Sequence, residues 1–344
     1  MPTPLEPAAD NSACQTGYET MLQFIINILS RFDNVSQVQT RGDEAAVMGK
    51  GLTTTGVWAQ GFGTYLHQDP RGSSNGYNAT VWGTSVGFDT QLLENSIVGF
   101  SGGYASDSVR TKDFSARSDI DSYAGSLYGS YAKDDYYLDL IASFAYNQYD
   151  ASRHAAFGSI SRTPTANYGG QQYSGYAETG YTFKNKDVTL TPLASLQYSH
   201  LHINGYTEEN GGALDLTVAG QDYDAVQSGL GAKLAYKMSR KNYTLIPDLH
   251  VKWLYDFVGD RQQCTSTFTG GGASFATNGF IPAQASYDFG TKFIMLTKAH
   301  ITITANYDFE VKEDFYSHAG YLNLRADRFI YASPLSRYKK ATFV

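Results

Sequence analysis

The chain has 344 residues, a formal net charge of −7 and a mean hydropathy of −0.34, so it is long enough for one large domain or two small ones. Its acidic balance and scattered basic residues argue against nucleic-acid binding. Only two cysteines occur, Cys14 and Cys264, which excludes a disulfide scaffold. The low hydropathy does not exclude a membrane protein, because a transmembrane β-barrel alternates lipid-facing and lumen-facing residues.

The first 56 residues differ from the rest of the chain. The opening residues lack a basic segment followed by an apolar core, so we expect no secretory signal, and an exported chain would be a piece of a longer precursor. Met21–Phe32 has apolar residues at helical spacing. These residues are Leu22, Ile25, Ile26 and Leu29. The pattern predicts a helix that either lies on a surface or threads a barrel, and Gly42–Gly56 would link it to the first strand.

The remaining chain alternates apolar and polar residues, as strands between oil and water do. In Tyr243–Phe257 the odd positions include Leu249, Val251 and Trp253, and the even positions include Asp248 and Lys252. A soluble sandwich also alternates. However, the apolar faces run for about 10 residues, the length of a spanning strand, and end in aromatic residues as membrane girdles do. The pattern predicts an all-β, transmembrane antiparallel barrel.

We predict about 12 strands, between the filled barrel of 8 strands and the open porin of 16. They start near Val57, Val81, Ile97, Ser122, Tyr136, Gln172, Val188, Gly229, Tyr243, Ala285, His300 and Phe315. Long connections are expected at His67–Ala79, Ser106–Asp121, Asp150–Gln171, Asn204–Val226 and Gly259–Gln284, with a modest one at Lys312–Asp314. Short ones alternate with them, as periplasmic turns alternate with outer loops. A single helix could plug a lumen of this size.

Several charged residues fall on the predicted inward faces. They are Asp139, Glu178, Lys233, Asp248, Lys252, Asp256, Asp308 and Glu310. Two interpretations stay open: these residues solvate a wet lumen and pair with each other, or they hold the helix through contacts with residues such as Arg31. Buried charges persist where they are paired.

The sequence predicts no enzyme, cofactor or metal site. It has no Gly-x-Ser-x-Gly elbow with plausible partners. His200 and His202 share one face of a strand, so a metal pair is conceivable, but no third ligand stands out and a polar interface pair is favoured. The glycines at 270–272 are followed by no Lys-Ser/Thr, so they form no phosphate loop.

Motifs along the chain resemble those of the autotransporter β-domain family of type V secretion. The matching segments are Gly56–Gly63, Thr191–Tyr198, Trp253–Phe257, Phe268–Phe275 and Phe315–Arg325. The resemblance covers roughly Phe24–Phe329. It implies a multi-pass protein of the Gram-negative outer membrane, with a twelve-stranded barrel and an N-terminal helix in the pore. Such a domain carries an upstream passenger to the cell surface and anchors it.

The resemblance also implies partners and an assembly signal. The barrel assembly machinery and periplasmic chaperones would handle the chain, and outer-membrane lipid and lipopolysaccharide would surround it. The signal lies in the last strand, at Gly320, Leu322, Leu324 and Phe329. This chain departs from the family there, because its ending is one residue longer and is followed by Ile330–Val344. Some members cut the passenger at an Asn-Asn pair; Asn27 and Asn34 stand alone, so no cleavage site is assigned.

We therefore expect four segments. Residues 1–16 would be residual passenger linker, 17–55 the pore helix and linker, 56–329 the translocator barrel, and 330–344 an extension of unknown role. A closed barrel has no free sheet edge to demand a partner, so a monomer is expected. The family topology places Cys14 and Cys264 near the outer opening, so a disulfide between them stays an open alternative. A diffusion porin and a loop-mediated adhesin remain the alternative functions.

Overall fold

A computed structural model describes residues 11–39, 52–71, 75–93, 95–113, 115–157, 159–259, 263–279 and 281–331. Twelve strands form a closed antiparallel barrel. They are β1 (Leu52–Gln68), β2 (Tyr77–Leu93), β3 (Ser96–Thr111), β4 (Ala116–Lys133), β5 (Tyr136–Arg153), β8 (Thr165–Tyr181), β10 (Val188–Ile203), β13 (Gln221–Tyr236), β15 (Tyr243–Asp256), β18 (Ala285–Thr297), β19 (Ile301–Lys312) and β20 (Phe315–Tyr331). The predicted fold class is confirmed.

Neighbouring strands pair in sequence order around the whole ring. The first strand closes the barrel on the last one, with Gly56 opposite Asp327 and Gly63 opposite Gly320. All ladders in the barrel are antiparallel, so the even strand number leaves the start of β1 and the end of β20 at the same rim. We call this the inner rim, and the opposite end the outer rim.

The alternation in the sequence separates the two faces of the wall. Along β15, the side chains of Leu249 and Val251 are 58% and 44% exposed, whereas the adjacent Asp248, which points to the opposite face, is 8% exposed. Along β5, Leu138 and Leu140 point outward and Ile141 and Asp139 are buried. Outward apolar side chains therefore form the surface that lipid would cover.

Four of the six strands that follow an outer connection, β2, β4, β8 and β13, begin earlier than predicted. The expected long connection Ser106–Asp121 is wrong, because β3 continues to Thr111 and β4 already starts at Ala116. The prediction failed because polar side chains occupy both faces above the apolar belt, as at Arg117, Ser118 and Asp119. Alternation of hydropathy disappears there, although the backbone ladder continues.

The outer rim carries additional short elements. A hairpin of β6 (Ala155–Phe157) and β7 (Ile160–Arg162) follows β5. A separate sheet in the order β11 (Tyr206–Thr207), β12 (Leu216–Val218), β16 (Gln263–Phe268) and β17 (Phe275–Asn278) joins two long connections, and a 3-10 turn (Gly212–Leu214) lies between β11 and β12. We call this four-stranded sheet the outer sheet. The inner rim has β9 (Phe183–Asn185) and β14 (Met238–Ser239) beside its turns.

One helix, α1 (Asn11–Gln39), lies inside the barrel. It begins inside the segment expected to be linker and is longer than the predicted Met21–Phe32. The sequence pattern missed its first turns because Ser12, Gln15 and Thr16 are polar yet buried. No helix in the described residues has the length and hydropathy needed to cross a bilayer. Most of the expected linker Gly42–Gly56, and the extension beyond Tyr331, lie outside the described residues.

Candidate functional site

The candidate site is the lumen, which α1 occupies from rim to rim. Its start contributes Ala13 and Cys14 to an apolar cluster with Tyr149, Leu201 and Leu216 at the outer rim. Its later turns contribute to a second cluster with the wall near the inner rim. That cluster contains Met21, Ile25, Ile28, Leu29 and Phe32 of the helix and Trp58, Tyr128, Ile141, Ala145 and Tyr176 of the wall. The helix N-terminus thus lies at the outer rim, and its C-terminus at the inner one.

A buried ion-pair cluster fixes the helix near the inner rim. Arg31 Nε and Nη2 donate to Asp89 Oδ2 and Oδ1, each at 2.6 Å. Arg325 of β20 donates to the same two oxygens at 3.0 Å and reaches Asp327 at 2.5 Å. Tyr128 also donates to Asp89 at 3.3 Å. Two guanidinium groups around one carboxylate satisfy a charge that would be costly to bury alone.

An amide network lies one turn above this cluster. Gln60 donates to Asn27 Oδ1 at 2.6 Å, and Asn27 donates to Ser85 at 3.0 Å. Gln60 Oε1 accepts from Ser30 at 3.0 Å and from Asn323 at 2.9 Å. Every one of these groups is buried. The network therefore joins the helix to β1, β2 and β20 through neutral hydrogen bonds.

Polar contacts continue toward the outer rim. Thr20 donates to Asp107 at 2.8 Å, and Lys312 Nζ lies 3.3 Å from Glu19 Oε1. Gln23 accepts a hydrogen bond from Tyr321. Each pair links the helix to a different strand, so the polar side of α1 is bound along its length.

The aromatic Phe24 provides the apolar contact between these polar pairs. Its ring meets Phe62 edge to face, with the ring centroids 5.7 Å apart. The ring also lies against Gly103 of β3, where an added Cβ would come within 2.6 Å of Phe24 Cε1. Glycine at this position thus makes the space that the helix side chain fills.

Three of the predicted inward charges form a cluster within the wall. Glu178 accepts from Lys233 at 2.9 Å and from Lys252 at 3.2 Å. Tyr137 and Tyr176 donate to the same carboxylate at 2.9 and 2.8 Å. These contacts join β5, β8, β13 and β15 to each other, which is the mutual pairing described above.

The other predicted inward charges are spread along the lumen. Asp139, Asp248, Asp256 and Glu310 are on its wall, and Asp256 accepts the backbone N–H of Val258 at 3.0 Å. Asp308 lies 3.5 Å from His250 Nε2. The predicted helix residue Arg31 does contact the wall, but its partner Asp89 was not among the predicted residues.

Sequence reasoning missed most residues that hold the helix. These are Gln60, Ser85, Asp89, Asp107, Lys312, Tyr321, Asn323 and Arg325. The alternation of side chains along a strand could have indicated part of this set. Asp89 lies four positions after the buried Ser85 on β2, so both side chains point into the lumen. This alternation cannot identify which inward residue meets the helix, because that depends on the depth and rotation of α1.

The predicted assembly residues occupy the last strand. Gly320, Leu322 and Leu324 face outward, and both leucines are exposed. The backbone of Phe329 pairs with that of Thr54, while its side chain lies outside the described residues. The strand continues to Tyr331, so Ile330 and Tyr331 of the expected extension belong to β20.

The predicted histidine pair is bonded to carboxylates on the outward face. His202 Nδ1 lies 2.7 Å from Asp222 Oδ1, and His200 Nδ1 lies 3.0 Å from Asp224 Oδ1. Among the described residues, no group of three or more His, Cys, Asp or Glu side chains is arranged for a metal ion. Cys14 and Cys264 are both buried, and they are not joined in a disulfide.

The outer sheet lies over the helix N-terminus. Leu216 and Val218 of β12 and Cys264 of β16 belong to the same apolar cluster as Ala13 and Cys14. A buried ion pair fixes this sheet to the barrel, since Arg153 at the end of β5 donates to both carboxylate oxygens of Glu208, at 2.8 and 2.7 Å. The site can therefore hold a helix and close around it at the outer rim.

Comparisons with known proteins agree with this architecture. The model of the family described as Autotransporter beta-domain matches residues 57–308. Outer membrane protein A of Rickettsia conorii is 25% identical over 315 residues, which are 86% of this chain and 15% of that protein. This chain thus spans a small part of the length of that relative.

Two solved structures are similar in fold. The translocator domain of autotransporter NalP from Neisseria meningitidis has a TM-score of 0.61 and 16% identity, over 86% of this chain and 96% of that one. The beta domain of the Bordetella autotransporter BrkA has a TM-score of 0.58 and 17% identity, over 79% and 98%. In both cases the similarity in fold extends over nearly the whole of the solved chain.

Proposed function

Because the chain belongs to the autotransporter β-domain family and is an outer-membrane translocator domain of a Gram-negative bacterium, we propose that it delivers an N-terminal passenger and anchors it at the cell surface. The family implies an attached passenger and insertion in the outer membrane. The inner rim is then periplasmic and the outer rim extracellular.

The direction and burial of α1 carry the proposal. Its N-terminal end, from which a passenger would continue, lies at the outer rim, while its C-terminal end lies near the inner rim where β1 starts. A chain arranged in this way crosses the membrane once, through the lumen of the barrel. The polar and apolar contacts of α1 then hold the crossing segment in place.

A reporter experiment tests the proposal. An epitope fused to the N-terminus of the full chain should be labelled by antibody on intact cells and removed by added protease. A matched chain with the same epitope on the inner-rim turn near Arg240 should be labelled only after the outer membrane is permeabilised. Correctly inserted barrels whose N-terminal epitope stays hidden on intact cells would refute passenger delivery.

The two alternatives make different demands on the lumen and loops. A diffusion porin needs an open channel, which is inconsistent with a lumen occupied by α1. Single-channel recording separates these functions: the translocator should show a nearly closed state that opens when residues 11–39 are removed. A large steady conductance that this deletion leaves unchanged would favour the porin. A loop-mediated adhesin would bind surfaces without needing any passenger.

We further propose the partners and the roles that the family implies only in outline. The barrel assembly machinery and periplasmic chaperones would insert the chain by reading β20, with Gly320, Leu322, Leu324 and Phe329 as its signal. Lipid and lipopolysaccharide would cover the outward face, and the closed barrel would act as a monomer. The barrel itself would catalyse no reaction, as suits a component of secretion. The division at residues 16, 55 and 329 remains a prediction.

A further inference from the structure

The outward wall carries a groove near the outer rim. Its volume is about 520 Å³ and its lining residues are Asn78, Thr80, Ser108, Arg110, Thr111 and Lys112. Thr80 and Arg110 point away from the lumen, since their neighbours Val81 and Val109 are buried in it. The groove therefore opens toward the membrane, at the level where the strands leave the apolar belt.

Arg110 supplies a positive charge that the wall does not neutralise. It stands directly opposite Arg117 in the β3–β4 ladder, and like charges at such a position destabilise a sheet. Arg117 has its own partner, because its Nη2 lies 2.7 Å from Asp119 Oδ2. Within the part of the chain that the structure describes, the Arg110 guanidinium has neither a hydrogen bond nor an ion pair. An external anion bound to Arg110 would reduce the repulsion between the Arg110 and Arg117 side chains.

The second cation of the groove is fixed by a polar network. Lys112 Nζ lies 3.0 Å from His67 Nε2 and 2.6 Å from Asp69 Oδ1. His67 Nδ1 is 2.7 Å from Asn78 Oδ1. Because Asp69 and Asp119 are already paired with Lys112 and Arg117, Arg110 is the cation of the groove that has no carboxylate partner among the described residues. The groove thus combines a free guanidinium with hydroxyl and amide groups at fixed positions.

An apolar surface continues from the groove toward the membrane centre. Trp82 follows Thr80 on the same face of β2 and is 58% exposed. Val86 on β2 and Phe100 on β3 are each 57% exposed below it, and Tyr104 meets Trp82 edge to face at 5.9 Å. Aromatic side chains at this depth mark the membrane interface. A ligand with an anionic head and long acyl chains fits the groove and this surface together.

We propose that the groove binds the phosphorylated headgroup of a glycolipid of the outer leaflet, of the lipid A class, with its acyl chains along the Trp82 surface. Arginine suits this ligand, because its planar guanidinium can donate two parallel hydrogen bonds to one phosphate. The inference rests on the proposed contact with lipopolysaccharide and gives it a defined site. It does not depend on passenger delivery.

The test uses the full chain folded in detergent and titrated with diphosphoryl lipid A, with the bound fraction read by native mass spectrometry. Arg110→Gln should weaken binding about tenfold, since it removes a charge-assisted contact to phosphate. The matched control is Arg162→Gln, which removes an exposed arginine from the β6–β7 hairpin at the same rim. It should bind as the unchanged chain does, and Arg110→Lys should fall between the two.

Several outcomes would overturn the site. These are equal affinities of the unchanged chain and Arg110→Gln, an equal loss in Arg162→Gln, and equal binding of lipid A stripped of its phosphates. Displacement of the lipid by inorganic phosphate at the same concentration would identify a free-anion site instead. Heat-modifiable migration in gels confirms that each variant is folded. Surface display of the N-terminal epitope, measured separately, shows whether a failure concerns the groove or the proposed passenger delivery.

Discussion

Removing the Arg31 side chain tests how α1 is retained. In Arg31→Met the helix loses both 2.6 Å hydrogen bonds to Asp89, but this carboxylate keeps the two from Arg325. No buried charge is left without a partner. The loss of each hydrogen bond should therefore cost about 1.5 kcal/mol, the lower limit for hydrogen bonds to charged groups. The free energy that favours the retained helix over the displaced helix should therefore fall by about 3 kcal/mol. That raises the population with the helix displaced about 100-fold.

Asp89→Asn should have the larger effect. It removes the shared anion, and although Arg325 keeps Asp327 at 2.5 Å, Arg31 is left as a buried cation without a carboxylate. Breaking a buried pair in this way costs about 3–5 kcal/mol. Single-channel recording in planar bilayers measures the open fraction of each variant. The open fraction should be lowest in the unchanged chain, higher in Arg31→Met and highest in Asp89→Asn.

Lys233→Met is the matched control. It also removes one of two cations from a buried carboxylate, since Glu178 keeps Lys252 at 3.2 Å, but the ion pair that it breaks lies within the wall. Its open fraction should therefore equal that of the unchanged chain. An open fraction in Arg31→Met no higher than in Lys233→Met would refute retention by Asp89, and so would Arg31→Met opening more than Asp89→Asn.

Three further changes probe other parts of the lumen and its outer cover. Gly103→Ala places a Cβ 2.6 Å from Phe24, an overlap that should cost about 1–3 kcal/mol and raise the open fraction; a closed channel like that of the unchanged chain would contradict it. Glu208→Gln leaves Arg153 buried without its anion, so added protease should cut the outer sheet faster on intact cells, whereas unchanged cleavage would show that this pair is dispensable. Burial raises the pKa of the Cys264 thiol, so less reactive thiolate is present at neutral pH; in Cys14→Ser, maleimide labelling of the folded barrel should be slow at pH 7 and accelerate as pH rises, and labelling at the rate of a free thiol would refute the burial argument.

The wall of the barrel could be predicted from sequence because its signal is local. Each strand must place apolar residues toward lipid at every second position, as Leu249, Val251 and Trp253 do on β15. This constraint weakens where strands rise above the apolar belt. Arg117 and Asp119 face outward there, so the expected long connection before Asp121 proved to be strand.

The contacts of the helix could not be predicted, because they are not local. The apolar positions of α1 indicated one face, but its first turns are buried through Gln15 and Thr16, which pattern reading assigns to solvent. The pairing of Arg31 with Asp89 links residues 58 positions apart in sequence. It depends on how far the helix enters the barrel, and no periodicity specifies that depth.

The mixed chemistry of the helix–wall contact suits a segment that is held after passing through a pore. An apolar contact of the same extent would lose its whole burial energy when water entered the lumen. A hydrogen bond such as the one between Gln60 and Asn27 is exchanged for hydrogen bonds to water at a net cost of about 0.5–1.5 kcal/mol. A polar segment can therefore slide past the polar side chains that line the lumen. Retention then depends on the contacts that water replaces poorly. These are the Arg31–Asp89 pair, the Phe24 ring against Gly103 and the apolar cluster of the helix and the wall near the inner rim. Gln60→Ala removes two neutral hydrogen bonds to the helix, from Gln60 to Asn27 and from Ser30 to Gln60. At the net cost per bond given above, this variant should open less than Asp89→Asn, which leaves a buried cation without its carboxylate.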